Sequence, residues 1–334
     1  MGGRGSTSAS RSVQVIAAEP SHSTSAAIQV RLLQSLHSHG HPCQIWMPPH
    51  ARVPELSPWH PLLKQGWVQT RLHPSPGVIV VCTAADWKQL RQHYGAQPSV
   101  PVLHLLFGCD GLHYGHGSAG SPAIRVCSSP ELAATLQQQD LLREPLHSLP
   151  IGLNPADVPV PAADRDPKRV LLLARHRPDL GLLLQQKLEH AGLNCSAELE
   201  PWPQQRWLSA MAQASTVVNL NAANATPTLG LRRLSSMVLQ TVLISERRSG
   251  IDALCRDGEN ALVRPADPDQ LLQAVLSVHS PNGKTLRRRL LDGGLSTALR
   301  HRATRQEMNF LDLFATIPEL WMEAKASHRS KNER

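Results

Sequence analysis

Short runs of consecutive apolar residues recur along the chain, each followed by a stretch where apolar residues return every three or four positions. Val13 to Ala17 (VQVIA), Cys43 to Met47 (CQIWM), Val78 to Cys82 (VIVVC), Val102 to Leu106 (VLHLL) and the run AIRVCSS from Ala123 are of the first kind. Such runs read as strands buried on both faces, and their alternation with helical segments reads as a parallel α/β architecture. Ile28, Leu32 and Leu36 share one helix face, Gly40 supplies a stop signal, and Pro130 opens the helix ELAATLQQ.

A second series begins with the strand Val170 to Ala174 (VLLLA). The helix LGLLLQQKLEHAG follows, then the strand CSAEL, the helix PQQRWLSAMAQA and the strands TVVNL and TVLIS. A short helix near Ile251, the segment NALVRP and the helix DQLLQAVLSV complete it. Between the two series, prolines at 150, 155, 159, 161 and 167 interrupt a stretch without apolar periodicity, which predicts a stiff, extended linker. The boundaries expected are a first α/β domain over 1–152, a linker over 153–168, a second α/β domain over 169–304, and a C-terminal helix with a basic tail over 305–334. Two such domains leave a central cleft, and ligands of such sheets bind outside the carboxyl ends of the strands.

The segment Asn224 to Ser245, NATPTLGLRRLSSMVLQTVLIS, reads as a loop, a helix and a strand. Its helix starts near Gly230 with two arginines, Arg232 and Arg233, in the first turn. A helix N-terminus is already the positive end of the dipole, so cations there need something negative to meet them. A bound anion is one answer. The other is a side-chain partner, with Asp252 and Glu246 as the carboxylates in view.

A chain of 334 residues fits two domains, and 41% hydrophobic residues are enough to build their cores. Phenylalanine and tyrosine number 3 and 2, so the cores are expected to be aliphatic, with 7 tryptophans as anchors. The net charge of +8 is partly concentrated in KTLRRRLL and HRATR, which suit either a solvated helix face or attraction to phosphate, including an anionic membrane surface. Zinc-finger spacing, RNA-binding aromatic signatures and a basic zipper are missing, which argues against nucleic acid as a partner. The 6 cysteines are scattered without a CxxC pair, which points to reduced thiols in a cytoplasmic protein. The histidine-rich HSHGHP lies where a helix ends, and HYGH lies in a glycine-rich loop without a carboxylate at ligand spacing, so no metal is expected. No apolar run reaches the roughly 20 residues needed to span a bilayer, and the polar start MGGRGSTSASRS does not read as a signal peptide.

With these segments in order, the chain resembles the nucleotide-sugar glycosyltransferases of the GT-B fold, of the group 1 or family-four type. LLQSLHSHGHPCQIWMPP resembles the family's first helix and second strand, with Gly40-His41 at the join. SVPVLHLLFG, IRVCSSPELAATL, LPIGLNPADV and LLLARHRPDLG are similar to later family segments. The most specific match is LGLRRLSSMVLQTVLIS with DGENALVRPADPDQLLQAV, which resembles the donor-binding block. The resemblance implies two Rossmann-like domains, acceptor side first and donor side second, with the last helix packed back toward the first domain.

The sequence also departs from that family. Aligned on Gly230-Leu231, the two donor-site glutamates fall at Pro227 and Ser235, so both carboxylates are missing. The phosphate-binding lysine falls at Leu180, whereas the arginine of the same turn survives as Arg175, and the family's His-Gly histidine becomes Phe107. Divergent members carry an arginine just inside the donor helix instead. The resemblance then implies that Arg232 and Arg175 neutralise a diphosphate lying on the backbone N–H groups of Leu229, Gly230 and Leu231, without a metal. Nothing structural in the sequence asks for Arg232, so its loss is expected to leave stability unchanged or slightly higher.

Asn221, Asn224, Thr226 and Thr228 offer neutral groups for the donor sugar, and Ser235 one contact to the ribose. On the acceptor side, Ser23, Thr24 and Ser25 either contact the acceptor or cap a helix. His104 either orients the acceptor or sits in the core, and Asp110 serves as a base or as an ordinary turn residue. Trp207 shares a helix face with Met211 and reads as core, Trp321 as a packing anchor, and Trp202, between two prolines, is open. The implied function is metal-independent transfer of a sugar from a nucleoside-diphosphate sugar, which is a donor substrate rather than a cofactor, to an unidentified acceptor, for which a glycan or a lipid-linked molecule is the candidate. The alternative is a catalytically inactive GT-B protein that binds nucleotide or glycan, or a partner subunit of a glycosyltransferase complex.

Overall fold

The protein was studied as a computed structural model that describes residues 10–20, 24–53, 55, 57–107, 121–138, 142, 144–200, 202–221, 230–247 and 254–332. The chain divides into two compact units, 1–150 with 306–334 and 151–305. The first unit runs β1 (Val13–Ile16), α1 (Thr24–Ser38), β2 (Cys43–Trp46), α2 (His60–Lys64), β3 (Val68–Gln69), β4 (Val78–Val81) and α3 (Ala84–Tyr94). It continues through β5 (Val102–Leu106), β6 (Ile124–Cys127), α4 (Pro130–Gln138) and β7 (Leu146–Ser148). The second unit holds β8 (Arg169–Leu173), α5 (Pro178–His190), β9 (Asn194–Glu198), α6 (Gln204–Gln213), β10 (Thr216–Asn219) and α7 (Leu231–Val238). It then runs through β11 (Val242–Glu246), β12 (Leu262–Arg264), α8 (Pro268–His279) and α9 (Lys284–Arg300). Helices α10 (Ala303–Ala315) and α11 (Ile317–Asn332) carry the chain back into the first unit.

Both sheets are parallel throughout. The first has the order β3-β2-β1-β4-β5-β6-β7 and the second β12-β11-β10-β8-β9. Strands β1, β4 and β10 are buried at every residue. That follows from helices covering both faces of a parallel sheet, and it is why these strands read as unbroken apolar runs. In the second unit, Val170, Leu172, Val218, Val242 and Ile244 of the sheet pack with Leu184, Leu188, Leu271 and Val275 of the helices. Burying such a leucine or valine stabilises by roughly 1.5–3 kcal/mol.

The stretch expected as an extended linker is bound into the second unit. Leu153 exchanges backbone hydrogen bonds with His301 and Ala303, Asn154 caps a short 3₁₀ turn at Pro155–Asp157, and Arg165 donates to the carbonyls of Ala212, Leu239 and Gln240. The prolines preset the backbone, but the donors around them are spent on one unit rather than left to solvent.

In the first unit the returning helices are anchored by buried aromatics, Phe310, Phe314 and Trp321. Arg31 of α1 bonds Gln306 and Glu307, and Arg11 donates to the carbonyl of Phe314. Beneath them lies a polar network with no exposure to solvent. Arg125 pairs with Glu144, also donates to the Nδ1 of His104, and stands over the ring of Trp87. Among the described residues no helix is long and apolar enough to cross a membrane.

Candidate functional site

In the second sheet β8 leads outward to β9, whereas β10 lies on the other side of β8. The order therefore reverses between β8 and β10, and the carboxyl ends of those two strands flank the crevice where open α/β sheets take ligands. In the first sheet the same reversal falls between β1 and β4. There Asp86, buried at the start of α3, accepts from the backbone N–H groups of Ala18, Cys82 and Thr83. A carboxylate of the chain itself takes up those donors. Burial outweighs them and pushes its pKa up to about 6.

The crevice of the second sheet is lined by arginines instead. Arg175, His176 and Arg177 follow β8, and Arg232 and Arg233 open α7. Helix α5 can start so close to β8 because residue 181 is glycine; a Cβ there would meet the Cβ of Ala174 at 2.4 Å. Helix α7 starts from Gly230 in the left-handed conformation, at φ 68°, with no side-chain cap on its first turn. As glycine, the N-cap residue brings no side chain of its own to those N–H groups, which an anion's oxygens can serve.

Arg232 places its two terminal nitrogens on the two oxygens of Glu198, at the end of β9, at 2.5 and 2.7 Å. Its guanidinium also stands 5.4 Å from the ring centre of Trp207. Glu198 is therefore the negative group that meets Arg232, whereas Glu246 pairs with Arg177; Asp252 lies outside the described residues. The expectation that nothing structural asks for Arg232 is corrected by this pair. β9 is an edge strand, so its last residue reaches α7 only through the crossing of β8 and β10, which linear sequence does not display.

Arg177, not singled out from sequence, ties the crevice together. It donates to the carbonyl of Asn221 and, at 2.9 Å, to Glu246 at the end of β11. Asn221 in turn donates its backbone N–H to Glu246 and its side-chain amide to the Glu246 carbonyl. Its side-chain oxygen accepts from both Asn219 and Arg233. Asn221 is thus a brace whose polar atoms are spent internally, rather than a donor of hydrogen bonds to a sugar. Ser235 is 1% exposed, so its short side chain is packed inside the unit instead of being presented to a ribose.

Among the side chains joined by these contacts, four arginines face two carboxylates. Glu198 and Glu246 are buried, with side-chain exposures of 0% and 5%, while those of Arg232 and Arg177 keep 20% and 29%. Arg175 is exposed and donates from Nε to the Nε2 of His176 at 2.9 Å. His176 is held below its usual pKa by partial burial, then by Arg175 and Arg232, with Glu198 opposing. Both carboxylates lie underneath, Arg233 is buried with them, and Arg175, Arg177 and Arg232 reach the outward face of the crevice, which is therefore electropositive.

The remaining expectations divide. Ser23, Asp110, Asn224, Thr226, Thr228 and Leu229 lie outside the described residues. Thr24 and Ser25 form the start of α1. His104 is corrected from an acceptor contact to a core residue. It is 0% exposed, accepts from Arg125 and packs edge-on against Trp87 at 5.3 Å. Burial first, and Arg125 second, hold its pKa well below 6.5. Leu231 is buried, as are Trp207 and Trp321. Among the described residues, no group of three or more His, Cys, Asp or Glu is arranged to hold a metal ion.

No protein-family model matches this chain, and no curated protein sequence matches it. Solved structures do. Sucrose-phosphate synthase from Thermosynechococcus elongatus is similar with a TM-score of 0.66 at 12% identity, over 92% of this chain and 99% of that one. Anabaena HepE in complex with UDP-glucose is similar with a TM-score of 0.62 at 9% identity, over 92% and 100%. An alpha-glucosyltransferase in complex with UDP-glucose and DNA containing an abasic site gives 0.61 at 8%, over 92% and 99%. At such identities the likeness is one of architecture, and the chain has the GT-B fold.

Proposed function

We propose that the protein is a glycosyltransferase that binds a nucleoside-diphosphate sugar at the carboxyl ends of β8 and β10. The observation that carries this reading is the arginine cluster at the switch point of the second sheet, with its carboxylates buried beneath. The diphosphate would lie on the first-turn N–H groups of α7, with Arg175 and Arg232 as the cations. The leaving nucleoside diphosphate gains negative charge as the sugar departs, and preorganised cations stabilise that charge most in the transition state. Bidentate pairing with Glu198 holds Arg232 in place before any ligand arrives, so little side-chain entropy is lost on binding. In this reading the arginines do the leaving-group work without a metal, and Asp110 is the base that meets the acceptor hydroxyl.

The acceptor is proposed to be a glycan or a lipid-linked sugar. The exposed Arg288 and Arg289 of α9 suit contact with an anionic membrane surface. A cytoplasmic setting is supported, among the described residues, by the free thiols of Cys43, Cys82, Cys127 and Cys195.

A second reading, a GT-B protein that binds nucleotide or glycan without turnover or serves as a partner subunit, is favoured by one observation. Pro227 and Ser235 stand where the resembled family has its donor glutamates, and Ser235 is buried. A panel of UDP-, GDP- and ADP-sugars separates the two. Slow release of nucleoside diphosphate from one of them is the result expected of the transferase. Binding without release would establish the second reading instead.

A further inference from the structure

Trp202 is unlike the tryptophans that build the cores. Trp207 and Trp321 are buried, whereas Trp202 is half-buried, on the loop between β9 and α6. Pro203 follows it and restricts its backbone to extended conformations. One side of its ring is covered by the guanidinium of Arg206, 4.4 Å from the ring centre, and Arg206 is itself exposed. The backbone N–H of Trp202 donates to Oε1 of Glu198 at 3.2 Å, and the same oxygen accepts from Arg232 at 2.7 Å. A single buried carboxylate therefore ties the base of the indole to the arginine that opens α7.

We propose that Trp202 is the stacking platform for the base of a nucleoside diphosphate whose phosphates lie against Arg175 and Arg232. The proposal rests on the anion site described under the proposed function and adds the group that recognises the nucleoside. An indole backed by a cation and set beside an anion site suits a ligand with a flat π-face joined to phosphates. A sugar phosphate offers no such face. Stacking tolerates every base, so Trp202 would supply affinity for nucleotides over simple polyphosphates rather than a choice among bases. Arg206 is the positioning residue that supports the ring from behind.

Calorimetric titration of the full chain with UDP, GDP, ADP and inorganic pyrophosphate tests this. Trp202→Ala is expected to weaken the best nucleotide by about tenfold to a hundredfold and to leave pyrophosphate affinity unchanged. Trp202→Phe, which keeps an aromatic face, is expected to retain most of the nucleotide affinity, and Arg206→Ala to lose less than Trp202→Ala. Equal weakening of nucleotide and pyrophosphate would overturn the proposal, since Trp202 would then only position the arginines. Wild-type protein that binds pyrophosphate as tightly as any nucleotide would overturn it too, with the anion site intact. Wild-type protein that binds neither would overturn the proposed function and this platform together.

Discussion

Arg232 and Glu198 form a bidentate ion pair across the second sheet, with the carboxylate fully buried and the guanidinium one-fifth exposed. The pair joins the edge strand β9 to the first turn of α7, and it gives Arg232, a cation at the positive end of a helix, its negative partner.

The pair makes Arg232 structural as well as a candidate ligand. Arg232→Ala strands a buried carboxylate and is expected to cost about 3 kcal/mol of stability in chemical denaturation. Adding Glu198→Gln should recover most of that loss, because the uncompensated charge goes with it. A single variant as stable as wild type would mean that solvent reaches Glu198.

Arg177 is predicted to brace the crevice. Arg177→Ala removes a charge-assisted bond to Glu246 and one to the carbonyl of Asn221, with an expected loss of about 2 kcal/mol. Measured on the same denaturation curve, Arg175→Ala should change stability much less, since Arg175 is exposed.

Most strands were legible in the sequence, because a strand buried on both faces must be an apolar run, and β1, β4, β8 and β10 are such runs. Helix α3 was not. Only Trp87 and Leu90 of its apolar residues are buried, and its start is fixed by the Thr83–Asp86 capping box rather than by a hydrophobic stripe. Arg232 was visible as an anomaly of position. Its partner was not, because Glu198 stands 34 residues earlier and meets it only through strand order. Arg177 was passed over for the neighbouring Arg175, which the family resemblance singled out. No local pattern announces that β11 brings Glu246 within reach.

Helix α5 depends on Gly181 in a way that packing tests directly. A methyl group added there meets Ala174 at 2.4 Å, so Gly181→Ala must push α5 off β8. The expected cost is about 1–3 kcal/mol, read from the melting curve.

His104 predicts an acid limb in stability. Its folded pKa lies well below 6.5, so the unfolded chain takes up a proton below that pH that the folded chain refuses. Stability therefore falls as pH drops below about 6.5, by up to about 1.4 kcal/mol per pH unit from this one group. His41, His147, His176 and His279 are also lowered, each chiefly by burial, and steepen the fall. His104→Gln, which keeps an acceptor for Arg125, should shallow the limb between pH 6.5 and 5. An unchanged slope would place the titration elsewhere.

The central claim is that the crevice between β8 and β10 holds a nucleoside diphosphate on its arginines. Calorimetric titration of UDP, GDP and ADP into wild-type protein and Arg175→Ala measures it most directly. Arg175 is exposed, so its loss is expected to disturb the fold less than loss of the half-buried Arg232. The account predicts that wild type binds one of these nucleotides and that Arg175→Ala weakens it by about one to two powers of ten, the worth of one charge-assisted contact. A wild-type chain that binds none of them, or a variant that binds as tightly as wild type, would contradict it.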